Sequence, residues 1–96
     1  MRDRDVRSAV RLMLASQYDG DDGTRIVEEM GIWSGSVRID IAVINGELSG
    51  FELKSDRDTL HRLPTQAEIY SKVFDRVTLV VGTRHAALAS TMVPPW

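Results

Sequence analysis

Residues 38 to 54 read Arg-Ile-Asp-Ile-Ala-Val-Ile-Asn-Gly-Glu-Leu-Ser-Gly-Phe-Glu-Leu-Lys. Val37 to Ile44 alternates and is rich in β-branched residues, as a half-buried strand is. Asn45-Gly46 then turns the chain, because both positions tolerate positive φ, and Glu47 to Lys54 returns as the partner strand. The hairpin carries Asp40 on one strand and Glu52 and Lys54 on the other. Two carboxylates and an amine in apolar surroundings suit a divalent-metal site for phosphodiester hydrolysis. The carboxylates hold the metal, and the lysine orients water and helps to deprotonate it.

Whether the acids meet depends on register. A strict two-residue turn at Asn45 and Gly46 sets Asp40 opposite Phe51 and Ile39 opposite Glu52, which puts the acids on opposite faces. It also sets Ile39, Ile41 and Val43 beside Glu52 and Lys54 and spoils an apolar face. One extra residue, in a three-residue connection or a bulge at Gly46 or Gly50, places Asp40 with Glu52 and places Ile39 and Ile41 with Phe51 and Leu53. A break in regular pairing is therefore expected between residues 45 and 50.

Upstream, Val6, Ala9, Val10, Met13 and Leu14 recur at spacings of three and four and predict a helix over about residues 3 to 16. Gln17 to Gly23 breaks it, and Thr24 to Met30 reads as extended. Gly31 to Ser36 is a loop holding Trp33. Arg2, Arg4, Arg7 and Arg11 read as the solvated side of the first helix.

Downstream, Ser55 to Arg62 is polar and helix-initiating, with Asp56, Asp58 and Thr59 as expected caps of the next helix. Pro64 suits a first helical turn, and Leu63, Ala67, Tyr70, Val73 and Phe74 form its apolar stripe, ending near Asp75. Val77 to Gly82 is a nearly continuous apolar run, read as a strand buried on both faces. His85 to Met92 is a short third helix stopped by Pro94-Pro95. The expected fold is α/β (α+β), with a mixed sheet of about four strands flanked by helices in the order α-β-β-β-α-β-α.

At 96 residues the chain is expected to be a single domain spanning 1–96. It has no cysteine, which removes a disulfide framework or a Cys-rich zinc module, and His61 and His85 have no companions at ligand spacing. No run approaches the roughly 20 apolar residues of a membrane span, and a cytoplasmic location is the expectation. The net charge of −2 argues against coating nucleic acid through a large basic surface, yet permits local arginine clusters beside a metal-binding acidic site.

Together these residues resemble the PD-(D/E)XK, or restriction-endonuclease-like, superfamily of nucleases. Asp40 matches the aspartate of its second core strand, Glu52-Leu53-Lys54 its Glu-X-Lys, and Gln66-Ala-Glu-Ile-Tyr70 the Gln-X-X-X-Tyr of the following helix. Of the upstream acids, Glu29 fits the expected glutamate better than Glu28. The phrases Phe51-Glu-Leu-Lys-Ser-Asp-Arg-Asp-Thr-Leu, His61-Arg-Leu-Pro-Thr-Gln and Val73-Phe-Asp-Arg-Val-Thr-Leu-Val-Val look like one small bacterial branch.

The resemblance implies Mg²⁺ or Mn²⁺ held by Glu29, Asp40, Glu52 and the Leu53 carbonyl, with Asp40, Glu52 and Lys54 catalytic and Gln66 and Tyr70 supporting the site or touching substrate. DNA, including branched or single-stranded forms, is the implied partner, and cleavage leaves a 5′-phosphate and a 3′-hydroxyl. So small a module is expected to pair as a homodimer. Trp33 and Trp96 read as covers of an apolar edge. The competing expectation is a catalytically silent module that keeps the fold and binds nucleic acid or protein.

Overall fold

Val6, Val10 and Leu14, each four residues apart, form the buried seam of helix α1 (Asp3–Gln17) in the computed structural model, which describes residues 3–33, 35 and 37–94. The seam is narrower than the sequence suggests, because Ala9 and Met13 face solvent. Four strands follow the expected order: β1 (Arg25–Ile32), β2 (Val37–Ile44), β3 (Leu48–Lys54) and, after helix α2 (Leu63–Val73), β4 (Arg76–Val81), with a short α3 (Ala86–Ser90) last. The sheet order is β1-β2-β3-β4, antiparallel except for the parallel β3–β4 pair that α2 connects. Trp96, Arg2 and Pro95 lie outside the described residues.

Helices cover both faces. Val6, Val10 and Leu14 of α1 pack with Ile41, Val43 and Leu53, and Phe51 lies against the same cluster. On the opposite face Ile69, Tyr70 and Phe74 pack with Ile39, Ala42 and Val77. A third group, Leu60, Leu63 and Ala89, seats α3 against β4. Among the described residues, no helix is long and apolar enough to cross a membrane.

The hairpin contains the extra residue. Ile44 pairs with Leu48 and Ile41 with Phe51, so Asn45, Gly46 and Glu47 form a three-residue connection, with Gly46 at φ +92. Gly50 is not a bulge. It pairs regularly with Ala42 and Val77, and its missing side chain admits Ile39 and Phe74, which a Cβ would meet at 3.1–3.2 Å.

A second irregularity was not expected. The β1–β2 ladder joins Glu28 to Ile41 and Met30 to Ile39 but skips Glu29 and Asp40, and Glu29 has φ +53. Ile39 consequently packs with α2 and Ile41 with α1, although two residues apart on a strand normally share a face. The expectation that Ile39 shares the face of Phe51 and Leu53 is corrected: Ile41 does, and Ile39 does not. The alternation reverses at Asp40.

Two further expectations change. β4 lies at the sheet's edge beside β3 alone, so Arg76 and Thr78 are exposed and Val77 is its one buried residue. The segment before α2 is a turn of its own, and Asp56 and Asp58 do not cap the helix. Asp58 Oδ2 accepts from Ser55 N at 2.7 Å and from Ser55 Oγ at 3.1 Å, while Asp56 Oδ1 accepts from Arg84 N at 3.2 Å. Helix α2 begins after Arg62 with no side-chain cap, and Pro64 occupies its first turn as expected. Asp58 thus closes a local turn, the competition short polar side chains offer, while Asp56 ties the segment to the distant Arg84.

Candidate active site

Regular β2–β3 pairing runs only to Ile41 and Phe51, while both strands continue to Val37 and Lys54. Beyond that point the Asp40 side chain takes over from the backbone: its Oδ2 accepts from Leu53 N–H at 2.8 Å. A cleft of about 690 Å³ opens there, and Glu29, Asp40, Glu52 and Gln66 all line it. Asp40 and Glu52 therefore face one space.

Glu52 is 3% exposed and ringed by partners. Tyr70 Oη lies 2.8 Å from its Oε1, and the same hydroxyl is 2.8 Å from the Arg38 carbonyl. Lys54 Nζ lies 3.4 Å from Oε2, and Gln66 Nε2 makes a long 3.4 Å hydrogen bond to that oxygen. Lys54 and Gln66 are themselves buried. The i, i+2 spacing of Glu52 and Lys54 places them on the α2 face of β3, and the four-residue step from Gln66 to Tyr70 points both side chains down from the helix.

Burial raises the Glu52 carboxyl to about 7, Asp40's negative charge adds to the rise, and Lys54 and the Tyr70 hydrogen bond oppose it. Tyr70 is pushed far up, first by burial and then by the charge of Glu52, so it remains a hydrogen-bond donor. Asp40 and Glu52 thus repel each other across the cleft.

Arg7 corrects the reading of the α1 arginines as a solvated face. Its Nη2 donates to Asp40 Oδ1 and to Glu29 Oε1, each at 3.1 Å, and its Nη1 donates to the Asp40 carbonyl at 3.3 Å. Glu28 turns towards Arg7 at 3.8 Å and Arg11 at 3.5 Å, whereas Glu29 lines the cleft, which separates the two upstream acids. The signal for Arg7 was present: it adjoins Val6 at the border of the apolar seam. Arg38 and Arg62 also line the cleft and are exposed. Neither was expected at the site, and the fold brings them to one cleft. Trp33 stays exposed, with Lys72 Nζ 5.6 Å above its ring.

Fold and site together define an α+β domain whose four-stranded mixed sheet carries a buried glutamate, paired with Lys54, in the lining of an arginine-edged cleft. Residues 2–96 match the family described as Bacteriophage P4 protein cII, and the chain belongs to that family. It is 36% identical over 93 residues to Protein cII of Enterobacteria phage P4, across 97% of this chain and 35% of that protein. The chain thus spans about a third of that relative's length. No solved structure matches it.

Proposed function

We infer that this domain is a Mg²⁺- or Mn²⁺-dependent nuclease with a restriction-endonuclease-like core, hydrolysing phosphodiester bonds in DNA. The observation that supports this best is the convergence of Asp40, Glu52 and Lys54 where the sheet opens. A buried lysine–glutamate pair with a second carboxylate beside it is costly, and apolar residues of like volume would serve a purely structural role better. Hard oxygen donors at a carboxyl raised to about 7 by burial first and by its neighbour's charge second fit a divalent cation.

In this reading Asp40 and Glu52 hold the cation with the Leu53 carbonyl, and Leu53 N–H fixes the Asp40 carboxylate in place. The chemistry supplied by the cation is polarisation of the phosphate and acidification of the attacking water. Lys54, anchored on Glu52, orients that water. Tyr70 holds the other Glu52 oxygen. Arg38 and Arg62 at the cleft attract phosphates despite the net negative charge of the chain. Pairing of two copies would lengthen the DNA-gripping surface, a point for light scattering, and the reaction belongs in the cytoplasm, where phage or bacterial DNA is reached.

Labelled single-stranded, duplex and branched DNA incubated with the protein and Mn²⁺, beside Glu52→Ala and Lys54→Ala, tests the reading. Metal-dependent cleavage lost in both variants is the expected result. Cleavage by wild type and variants alike would reveal a contaminant and remove the support. The second reading, a catalytically silent nucleic-acid- or protein-binding module, draws on Arg7, which already neutralises Asp40 and Glu29. It predicts DNA retention without cleavage under every metal condition.

A further inference from the structure

Gln66 is 5% exposed and lines the cleft, yet its Oε1 is a buried acceptor with no hydrogen-bond partner among the described residues. Buried polar atoms are nearly always satisfied, so an orphan on a residue that lines a site asks for a ligand. The amide cannot simply turn over, because Oε1 would then meet Glu52 Oε2, acceptor against acceptor. The missing partner must be something that attracts oxygen.

The acids alone do not complete a metal site. Among the described residues, no three His, Cys, Asp or Glu side chains are grouped so as to hold a metal ion. Glu29, the acid expected to be third, has a side chain 48% exposed and gives its Oε1 to Arg7. It also sits at positive φ, in the ladder's gap. A neutral oxygen from another residue type is then needed, and hard cations accept side-chain amide carbonyls readily.

We propose that Gln66 Oε1, and not the Glu29 carboxylate, is the third side-chain ligand of the divalent cation beside Asp40 and Glu52. This rests on the nuclease reading's metal site. Gln66 Nε2 faces Glu52 while Oε1 faces the cation, so one amide orients the carboxylate and binds the metal together. The neutral ligand leaves the site with two negative charges, matched to a divalent ion, and leaves Glu29 paired with Arg7, which also bonds Asp40 Oδ1.

Titration of the metal-free protein with Mn²⁺, by calorimetry and by the electron paramagnetic resonance of free Mn²⁺, tests this without any substrate. Gln66→Leu should weaken Mn²⁺ binding by about tenfold or more, Gln66→Glu should tighten it by adding a charge, and Glu29→Gln should leave it within about twofold of wild type. Circular dichroism checks that each variant folds, and Gln66→Glu keeps the question open to refutation if Gln66→Leu does not. Wild type that binds Mn²⁺ with Gln66→Leu or Gln66→Glu unchanged would overturn the ligand assignment alone. So would a large loss in Glu29→Gln. Wild type that binds no Mn²⁺ would overturn the metal site and this assignment with it.

Discussion

Tyr70 has one hydroxyl proton and two acceptors at 2.8 Å, the Glu52 carboxylate and the Arg38 carbonyl. It can satisfy only one at a time. The conflict vanishes when Glu52 is protonated, for then Glu52 donates to Tyr70 and Tyr70 donates to Arg38. This agrees with a Glu52 carboxyl raised to about 7. Tyr70→Phe keeps the ring, its edge contact with Phe74 and the packing around it, but removes the hydroxyl that joins the Glu52 carboxyl to the Arg38 carbonyl. A loss of about 1–3 kcal/mol in urea denaturation is expected, the usual cost of leaving a buried polar group unpaired. On the proposed nuclease reading the substitution should also lower the cleavage rate more than it raises the substrate concentration needed, because Tyr70 would act through Glu52 and does not line the cleft. A variant as stable as wild type would show that the hydroxyl is idle.

At the scale of elements, the hairpin was legible because apolar alternation and an Asn-Gly turn disagree unless one residue is added, and the pairing of Ile41 with Phe51 shows that it is. The three residues of the Asp-Glu-Lys set followed from that register. The gap at Glu29 and Asp40 was not legible, since a glutamate at positive φ leaves no mark in composition; it is imposed where β1 and β2 change the face they bury. Nor were the roles of Asp56 and Asp58, because one bonds the distant Arg84 N–H and the other the nearby Ser55, and helix-start patterns record neither partner. Arg7 was misassigned because helical periodicity ranks positions by apolarity and says nothing of what faces the border of a stripe. Gly50 shows how an element can be read correctly for the wrong reason. It was suspected as a bulge and instead serves as the thin point where β3 lets Ile39 and Phe74 approach. Gly50→Ala should therefore cost about 1–3 kcal/mol through overpacking, without changing strand register. Thermal unfolding measures the cost, and retained Mn²⁺ binding would show the register intact.

Across the whole molecule, the site and the global fold are linked through one proton. Glu52 ordinarily titrates at 4.5 and in the folded domain at about 7, so the folded state binds that proton more tightly than the unfolded chain does. The resulting stabilisation is complete below about pH 4.5 and is lost as pH rises through 7, a span worth about 3 kcal/mol. Urea denaturation of the metal-free domain at a series of pH values should show this decline, superimposed on the titration of other groups. Glu52→Gln isolates it. The variant mimics the protonated acid, so it should match wild type at low pH, and the part of the slope between pH 4.5 and 7 that belongs to Glu52 should be gone. At the proposed metal site a divalent cation would compete with that proton and need the carboxylate deprotonated, so Mn²⁺ should stabilise wild type more at pH 8 than at pH 5 and scarcely stabilise Glu52→Gln. Equal stabilisation at both pH values would mean that the ion binds elsewhere on the surface, and that the cleft at the break in the sheet has some other use for its buried acid.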